Sequence, residues 1–295
     1  MNIFHQAENL SIKNPVVTIG TFDGVHAGHR IILNSVIRLA KEIGGESTVM
    51  TFWPHPRQII MPDAELNLIN SLDEKIKLLE EAGIDNLIIQ PFNKELMSLS
   101  AAEFVRRYLV QGIAVKHLVF GHDHVFGKNR EGTYENLLEF GKKYGFLVDQ
   151  IDAYSLQGIT ISSTVIRNYL DNGKVKESSE FLGYPYLLMG KVVNGYKVGR
   201  SIGFPTANVQ VEHPCKLIPK NGVYAVWVKY NAEIYRGMLN IGYRPTVSQD
   251  KKLSIEVHII DFDHEIYNEN IEIYFMYRVR DEKRYPSVGL LKKQT

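Results

Sequence analysis

Residues 20 to 29 read Gly-Thr-Phe-Asp-Gly-Val-His-Ala-Gly-His, and the segments on either side of this stretch indicate the fold of the first half of the chain. It follows the short apolar run Val16–Ile19, which is typical of a buried strand, and leads into helical periodicity over residues 28–43. A glycine-containing turn before a helix exposes the unpaired N–H groups of the first helical turn. Together with the positive end of the helix dipole, those groups favour anions. The stretch therefore predicts a phosphate-binding turn.

His26 and His29 are the chemically active residues of this stretch. Three positions apart in an opening helical turn, they fall on one face, where both can donate hydrogen bonds to one phosphate. Two interpretations compete with this one. Either each histidine is a structural residue, or His26, His29, His122 and His124 form a hydrolase metal site together with Asp23 or Asp123. The metal interpretation leaves the rest of the chain unexplained.

Residues 15–170 alternate between short apolar runs and helical periods, which favours an α/β domain with a parallel sheet covered by helices. In such sheets ligands bind beyond the carboxyl ends of the strands. The predicted strands are 16–19, 48–52, 87–89, 117–120 and 146–148, and the predicted helices are 28–43, 73–82, 100–110 and 133–144.

The pattern changes near residue 184, where two-residue alternation replaces helical periods. In Ile271–Arg280 the odd positions are apolar and the even ones are mostly polar, as in a half-buried strand. The ranges 223–230, 234–241 and 253–262 have a similar pattern. The sequence predicts a first domain over residues 1–183 and a small antiparallel six-stranded barrel over residues 184–295.

Composition argues against several classes of protein. The formal net charge is +1 without a basic stripe, which argues against a nucleic-acid binder. Cys215 is the only cysteine, so neither an internal disulfide nor a thiolate zinc cluster can form. The sequence shows no signal peptide and no apolar run long enough to cross a bilayer, so we expect a cytoplasmic protein with small-molecule substrates and no membrane partner. It predicts no oligomeric state.

Two motifs of the first domain resemble the motifs of a known enzyme superfamily. The chain has neither a Gly-x-x-x-x-Gly-Lys-Ser/Thr loop nor a Gly-x-Gly-x-x-Gly fingerprint. Instead, Thr21–His29 resembles the His-x-Gly-His signature of the nucleotidylyltransferase superfamily. Ser162–Arg167, where a serine could also simply cap a helix, resembles the second phosphate-binding motif of that superfamily. The resemblance implies ATP contacts from Gly20, Phe22, Asp23, Gly24, Gly28, Ser163, Thr164 and Arg167, with His26 and His29 as catalytic residues.

Two further segments narrow the family. Residues 51–57 follow the second predicted strand and residues 121–132 follow the fourth, so both lie at the expected ligand edge. Taken singly, they could be a proline-rich turn and a charged surface loop. Together with the motifs above, they resemble the FMN adenylyltransferase half of bacterial bifunctional FAD synthetases. This implies FMN contacts from His55, Pro56, Arg57, Asp123 and Phe126; Val125 stands where that family often has arginine.

The barrel half begins with a second group of candidate site residues, at positions 195–208. A glycine-rich loop with Lys197 and Arg200 can wrap a polyphosphate, and Thr206 and Asn208 offer neutral oxygens suited to Mg²⁺. A hairpin with a solvated basic face is the competing interpretation. The run Gly199–Asn208 resembles the riboflavin kinase signature. That resemblance implies ATP contacts from Gly195, Lys197, Gly199 and Arg200, and it makes Glu256 the general base for the riboflavin 5′-hydroxyl.

The sequence therefore predicts a bifunctional enzyme that phosphorylates riboflavin to FMN and adenylylates FMN to FAD, releasing pyrophosphate, with Mg²⁺ as cofactor. ATP is the co-substrate of both reactions. A monofunctional FMN adenylyltransferase whose barrel only binds flavin is a competing hypothesis, which the short segment after Tyr285 favours. A metal-dependent hydrolase and a carrier of flavin or nucleotide without catalytic activity are two further hypotheses.

Overall fold

A computed structural model describes residues 1–63, 65–122, 126–128, 131–194, 205–243 and 253–282. The chain divides into two compact units. The first comprises Met1–Leu66 and Lys75–Ser162, and the second comprises Asn67–Glu74 and Ser163–Thr295. The second unit is thus discontinuous in sequence, because it includes eight residues that lie within the span of the first.

The first unit is built on a six-stranded sheet in which every strand pair is parallel. The strand order is β1-β4-β3-β2-β5-β6, so the order reverses between β2 and β5. Ligands of open α/β sheets bind at such a reversal, beyond the carboxyl ends of the strands. The strands are β1 Asn2–Phe4, β2 Val16–Ile19, β3 Ser47–Trp53, β4 Asn86–Pro91, β5 His117–Gly121 and β6 Leu147–Ile151.

Helices cover this sheet, as the alternating pattern predicts. They are α1 Ala27–Glu42, α2 Pro56–Ile60, α3 Leu72–Glu81, α4 Lys94–Ser98, α5 Ala101–Phe104 continuing as a π-helix over Val105–Gly112, and α6 Tyr134–Tyr144. A small hairpin, β7 Ser155–Leu156 with β8 Ile159–Thr160, follows β6. The helix predicted over residues 100–110 is therefore two helical segments of different winding. Among the described residues, no helix has both the length and the apolar character that a bilayer crossing requires.

The second unit is a closed antiparallel barrel of six strands in the order β10-β13-β12-β11-β14-β9. The predicted alternation holds in β14, where Ile271, Ile273 and Phe275 are fully buried, but Tyr277 and Val279 at its end are exposed. Helices α7 Ser163–Asp171 and α8 Val175–Leu182 precede the barrel, and α8 contacts β9 and β14. The strands are β9 Tyr186–Val193, β10 Ala207–Gln210, β11 Gly222–Tyr230, β12 Glu233–Tyr243, β13 Leu253–Ile259 and β14 Asn270–Arg280.

A buried ion pair attaches the segment Asn67–Glu74 to the barrel. The Lys216 ammonium donates to Glu74 Oε2 at 2.6 Å and to the carbonyl oxygens of Ile69 and Leu187 at 2.6 and 2.7 Å. Glu74 Oε1 accepts from the Met189 backbone N–H at 2.8 Å, and both charged side chains are essentially inaccessible. A buried ion pair is stable only when hydrogen bonds satisfy its remaining donors and acceptors, and these contacts supply them.

Candidate nucleotide sites

The turn between β2 and α1 is strained. Phe22, Gly24 and Val25 have φ values of 46°, 96° and 38°, all in the left-handed region. Glycine tolerates this conformation, whereas phenylalanine and valine pay for it in free energy. Strain of this kind persists where a structure holds groups for function. The turn leads into a sixteen-residue helix that has no acidic residue in its first turn, so the positive helix mouth faces the turn.

His26 and His29 lie against each other at this helix mouth. Their rings are stacked with centroids 3.5 Å apart and planes at 12°. His26 is the N-cap of α1, because its Nδ1 accepts from the His29 backbone N–H at 3.2 Å. His26 is buried and His29 is half-buried, with the His29 ring tilted against Phe22 at 5.0 Å. The sequence prediction that both histidines lie together at the start of the helix is confirmed; their binding of phosphate stays a prediction.

Gly28 leaves room for this arrangement. A Cβ at position 28 would lie 3.3 Å from His26 Nδ1 and 3.4 Å from its Cε1, closer than almost all real Cβ contacts. The glycine between the two histidines thus lets the capping ring lie flat against the helix. The same Cβ would lie 4.0 Å from Ile161, so the chain just before the second motif runs beside the first.

The second motif opens α7 within the second unit. Ser163 is half-buried, Thr164 is exposed, and Arg167 follows one turn later on the same helix. The Arg167 Nε donates to the Asn67 carbonyl oxygen at 2.9 Å, which fixes the orientation of the guanidinium group. Gly20, Phe22, Asp23 and Gly24 are all buried in the turn of the first unit.

The predicted FMN segments have mixed structural roles. His55 is buried and caps α2, because its Nδ1 accepts from the Arg57 backbone N–H at 3.2 Å, and Gln58 completes a capping box. Pro56 is half-buried, and the Arg57 side chain is exposed. Phe126 is half-buried against the core, with its ring centroid 5.3 Å from that of Phe104. Asp123 lies outside the described residues.

In the barrel, three polar residues lie side by side on neighbouring strands: Asn208, Glu256 and Asn240. Glu256 on β13 is directly opposite Asn208 on β10 and directly opposite Asn240 on β12. Directly opposed residues of antiparallel strands project from the same face of a sheet. The Ser254 hydroxyl donates to Glu256 Oε1 at 2.9 Å and orients the carboxylate. The structure therefore places Asn208 opposite Glu256 and adds Ser254 and Asn240 to the same face, while the roles of Asn208 and Glu256 stay predictions.

Thr206 lies at the wall of a cavity. The carbonyl oxygen of its neighbour Pro205 is 2.8 Å from His258 Nδ1, which ties this segment to β13. The cavity measures about 290 Å³ and combines apolar walls with polar groups, as nucleotide pockets do. Its lining residues are Val192, Pro205, Thr206, Ala207, Val257, Ile259 and the segment Phe262–Tyr267. The predicted loop residues Gly195, Lys197, Gly199 and Arg200 lie outside the described residues.

The rival metal site finds no support in the described part of the chain. There, no group of three or more histidine, cysteine, aspartate or glutamate side chains could hold a metal ion. His124 and Asp123, two members of the proposed set, lie outside that part.

Sequence reasoning missed Lys75. On an amphipathic helix a lysine is expected in solvent, yet Lys75 of α3 is only 2% exposed. Burial lowers the pKa of its ammonium from 10.5 to about 8, and the Asp23 carboxylate opposes that shift. Its Nζ lies 5.6 Å from the ring centroid of Trp53, at the end of β3. The segment 262–267 was also missed, although aromatic and polar residues directly after a strand could have indicated it.

Two family models match the chain. The model described as FAD synthetase matches residues 9–165, and the model described as riboflavin kinase matches residues 182–295. A bifunctional riboflavin kinase/FMN adenylyltransferase from Pseudomonas fluorescens is 39% identical over 94% of this chain and 88% of that protein. One of the same name from Bacillus subtilis is 38% identical over 95% of this chain and 88% of that protein.

A solved structure has the same overall fold. A crystal structure described as a macrolide-efflux protein from Streptococcus pneumoniae has a TM-score of 0.89 at 30% identity, covering 99% of this chain and 95% of that one. The description as a macrolide-efflux protein applies to the Streptococcus pneumoniae protein and is not transferred to this chain. Because one family model matches each half of the chain, the comparisons support the bifunctional interpretation and not the monofunctional alternative.

Proposed function

Because this chain belongs to the family of bifunctional riboflavin kinases and FMN adenylyltransferases, we propose that its two reactions are carried by the two constellations described above. The chain phosphorylates riboflavin to FMN and adenylylates FMN to FAD. We assign adenylyl transfer to the turn Gly20–His29 and phosphoryl transfer to the face that carries Asn208 and Glu256. We place the boundary between the two halves at residues 183/184, and we place both reactions in the cytoplasm.

In adenylyl transfer, an FMN phosphate oxygen attacks the α-phosphorus of ATP, and the bond to the β-phosphate oxygen breaks. Pyrophosphate leaves, and no proton must be removed from the nucleophile because the FMN phosphate is already an anion. The work of the protein is therefore to bind the triphosphate and to stabilise negative charge as it develops. The amides at the mouth of α1 and the two imidazoles are suited to that work.

The observation that carries this assignment is the capped histidine pair. Since His26 Nδ1 accepts a hydrogen bond, the neutral ring carries its proton on Nε2, where it can be donated to a phosphate oxygen. His29, stacked on His26, supplies a second donor on the same face. Ser163, Thr164 and Arg167, at the start of α7, are proposed as triphosphate contacts from the resemblance of their motif alone. His55, Pro56, Arg57, Asp123 and Phe126 bind FMN.

In phosphoryl transfer, the riboflavin 5′-hydroxyl oxygen attacks the γ-phosphorus of ATP, and ADP leaves. Glu256 accepts the hydroxyl proton as general base. Ser254 holds one of its carboxylate oxygens, so the carboxylate keeps a single orientation on the barrel face. The cavity beside Thr206 takes the adenine ring, because its walls combine apolar side chains with the aromatic residues Phe262 and Tyr267. The loop residues Gly195, Lys197, Gly199 and Arg200 bind the phosphates.

Thr206 and Asn208 would hold Mg²⁺ in this reaction. The donor chemistry fits, since Asn208 and Thr206 contribute neutral oxygens and the Glu256 carboxylate lies directly across from Asn208. Mg²⁺, when bound, offsets phosphate charge and orients the triphosphate. Strand β10 holds Asn208 opposite Glu256, and Thr206 directly precedes that strand.

One experiment with two reciprocal variants tests both assignments. His29→Ala is expected to reduce FAD formation from FMN and ATP by about 100-fold or more, comparable to the loss of an oxyanion donor, and to leave riboflavin phosphorylation within about twofold. Glu256→Gln is expected to have the opposite effect, reducing phosphorylation by about 100-fold or more.

Both activities are measured on the same sample, and urea unfolding of each variant, followed by Trp53 fluorescence for the first unit or Trp227 fluorescence for the second, reports whether the substituted unit is folded. If His29→Ala forms FAD at the wild-type rate, the histidine pair is not the adenylyl-transfer site. If Glu256→Gln phosphorylates riboflavin normally, the base lies elsewhere.

A further inference from the structure

The main-chain ladder of β10 begins only at Ala207. Asn208 is paired on both sides of this strand, with β9 and with β13. Pro205 and Thr206 come before the strand, and both are exposed. Among the described pairings and contacts, neither the ladder nor burial therefore fixes Thr206, although Thr206 is the proposed partner of Asn208 in binding Mg²⁺.

His258 of β13 reaches this segment with its side chain. The strand pairing places Ala207 opposite Val257. One step further along the antiparallel ladder, Thr206 comes level with His258. The main-chain pairing stops before this step, and His258 Nδ1 lies instead 2.8 Å from the Pro205 carbonyl oxygen. A carbonyl oxygen only accepts, so Nδ1 carries a proton and donates the hydrogen bond.

His258 also lies on the face that carries the proposed general base. Because successive side chains of a strand point to opposite faces, Ser254, Glu256 and His258 share one face of β13, and all three are half-buried. Ser254 orients the Glu256 carboxylate from one side along the strand. On the other side, His258 binds the segment that carries Thr206. The residue assigned to chemistry thus has a neighbour on each side that holds a group of the proposed site.

The hydrogen bond from His258 fixes more than one atom. The peptide unit that joins Pro205 to Thr206 is planar, so a held carbonyl also fixes the direction in which the Thr206 backbone starts. Threonine is β-branched and has few favourable χ1 rotamers, so a fixed backbone restricts the positions of its hydroxyl. Thr206 lines the cavity that we assign to adenine, and a displacement of about 1 Å at such a site can reduce the rate about 100-fold.

We propose that His258 is a positioning residue for riboflavin phosphorylation: its Nδ1–H holds the Pro205 carbonyl and so keeps Thr206 in position for the phosphates of ATP and their Mg²⁺. This inference rests on the proposed function of Thr206 and Asn208. His258 acts through the main chain of Pro205 and makes no contact with the reacting atoms.

The test compares His258→Leu with His258→Asn. The two replacements have the same branched shape, but only the asparagine amide N–H can replace the Nδ1–H donor, and neither side chain titrates. Asparagine is the poorer strand residue, so any loss of strand stability should be greater for His258→Asn. A role that depends on the donor therefore predicts the opposite order of activity from a role that depends only on strand stability.

In riboflavin phosphorylation, His258→Leu is expected to lower kcat/KM for ATP about tenfold and to raise the Mg²⁺ concentration for half-maximal rate about threefold or more. His258→Asn is expected to stay within about threefold of wild type in both measures. Amide hydrogen exchange gives a measurement without substrate or metal. The amides of Thr206 and Ala207 should exchange faster than in wild type in His258→Leu but not in His258→Asn.

Two controls accompany these measurements. FAD formation should stay within about twofold of wild type in both variants, because His258 belongs to the second unit and the adenylyl-transfer turn belongs to the first. Trp227 fluorescence during urea unfolding reports whether the second unit is folded.

Equal phosphorylation kinetics for the two variants would overturn the inference, whether both match wild type or both are impaired. Unchanged hydrogen exchange in His258→Leu would also overturn it. If His258→Leu does not fold, His258→Asn is compared directly with wild type: phosphorylation within about threefold supports the inference, and a larger loss in a folded barrel contradicts it. Thr206→Val with wild-type Mg²⁺ dependence would instead contradict the proposed role of Thr206, so the two failures are distinguishable.

Discussion

His26 has two roles on its two ring nitrogens. Nδ1 caps α1 by accepting the His29 N–H, and Nε2 is the nitrogen that we assign as a donor to phosphate. His26 thus combines a structural role as a helix cap with a proposed functional role as a phosphate donor. Substitutions that separate the cap from the donor can distinguish these roles.

We expect His26→Asn to keep the cap and lose the phosphate donor. Asparagine is a preferred N-cap residue, so the free energy of unfolding should remain within about 0.5 kcal/mol of wild type while FAD formation falls by about 100-fold. His26→Ala, the matched control, loses both functions and should also lose about 1 kcal/mol of stability. Urea unfolding and FAD synthesis measure the two effects. Normal FAD synthesis by His26→Asn would mean that His26 is only a cap.

Lys75 predicts a pH dependence of stability. Its pKa is lowered from 10.5 in the unfolded chain to about 8 in the folded chain, so between these values the unfolded chain binds more protons. Stability contributed by this position therefore rises with pH from about 8 to about 10.5. The rise amounts to roughly 3 kcal/mol, from the shift multiplied by the free energy of one pKa unit.

The measurement compares wild type with Lys75→Met from pH 7 to pH 11. Trp53 fluorescence reports unfolding of the first unit when Trp227, the second tryptophan, is replaced by phenylalanine. The wild-type free energy of unfolding should increase relative to Lys75→Met as pH rises through this window. A constant difference between the two proteins would mean that the lysine titrates at its ordinary pKa.

Within helix α1, the residue at position 28 affects both the stability of the helix and the geometry of the site. Gly28 lies in its first turn, where alanine would favour the helix by up to about 1 kcal/mol. A Cβ there would press on the His26 ring at 3.3 Å. We expect Gly28→Ala to leave thermal stability unchanged within about 1 kcal/mol and to reduce FAD formation about tenfold or more, because the ring must shift. Unchanged FAD synthesis would show that the site tolerates this displacement.

Elements with strong local patterns could be predicted from the sequence. Strand β2 begins and ends at the predicted residues, and α1, α3, α6, β11, β13 and β14 start within a residue or two of their predicted starts. Strands β9 and β10 and helix α8 were not predicted. The signal of β10 is obscured because the strand has only four residues and begins inside the motif that ends at Asn208, and that of α8 because eight residues give little more than two helical turns.

Site residues that depend on contacts between distant segments could not be predicted. The resemblance identified Asn208 and Glu256, but the row they form with Asn240 depends on strand register, which alternation alone leaves open. Ser254 could have been suspected, since it lies two residues from Glu256 on the same face. The Asp23 carboxylate acts on Lys75 from a segment some fifty residues away, and helical periodicity contains no information about that segment.

At the scale of the whole molecule, the second unit requires residues from two distant parts of the chain. Glu74 and Lys216 are 142 residues apart, and both are inaccessible to solvent. Removing one member of a buried pair leaves its partner uncompensated, whereas removing both does not.

We expect Lys216→Met to lower the free energy of unfolding of the second unit by about 3–5 kcal/mol. Glu74→Gln combined with Lys216→Met should be less harmful than Lys216→Met alone. The exposed pair Arg38–Glu42 is the matched control, because Arg38→Met should cost less than about 1 kcal/mol. Trp227 fluorescence in a Trp53→Phe background during urea unfolding measures the effects at Glu74 and Lys216 in the second unit, and Trp53 fluorescence in a Trp227→Phe background measures the effect at Arg38 in the first unit. Equal losses for Lys216→Met and Arg38→Met would contradict a buried pair.

The distance between Glu74 and Lys216 also has a consequence during translation. A ribosome that adds about 5–20 residues per second needs roughly 7–30 s to make the 142 residues between them. Throughout that interval the Glu74 carboxylate of the nascent chain cannot pair with the Lys216 ammonium, which has not yet been synthesised. The start of α3 must therefore stay hydrated although the strands of the first sheet are already made. The segment Asn67–Glu74 can therefore pack into the second unit only after the ribosome has synthesised the barrel.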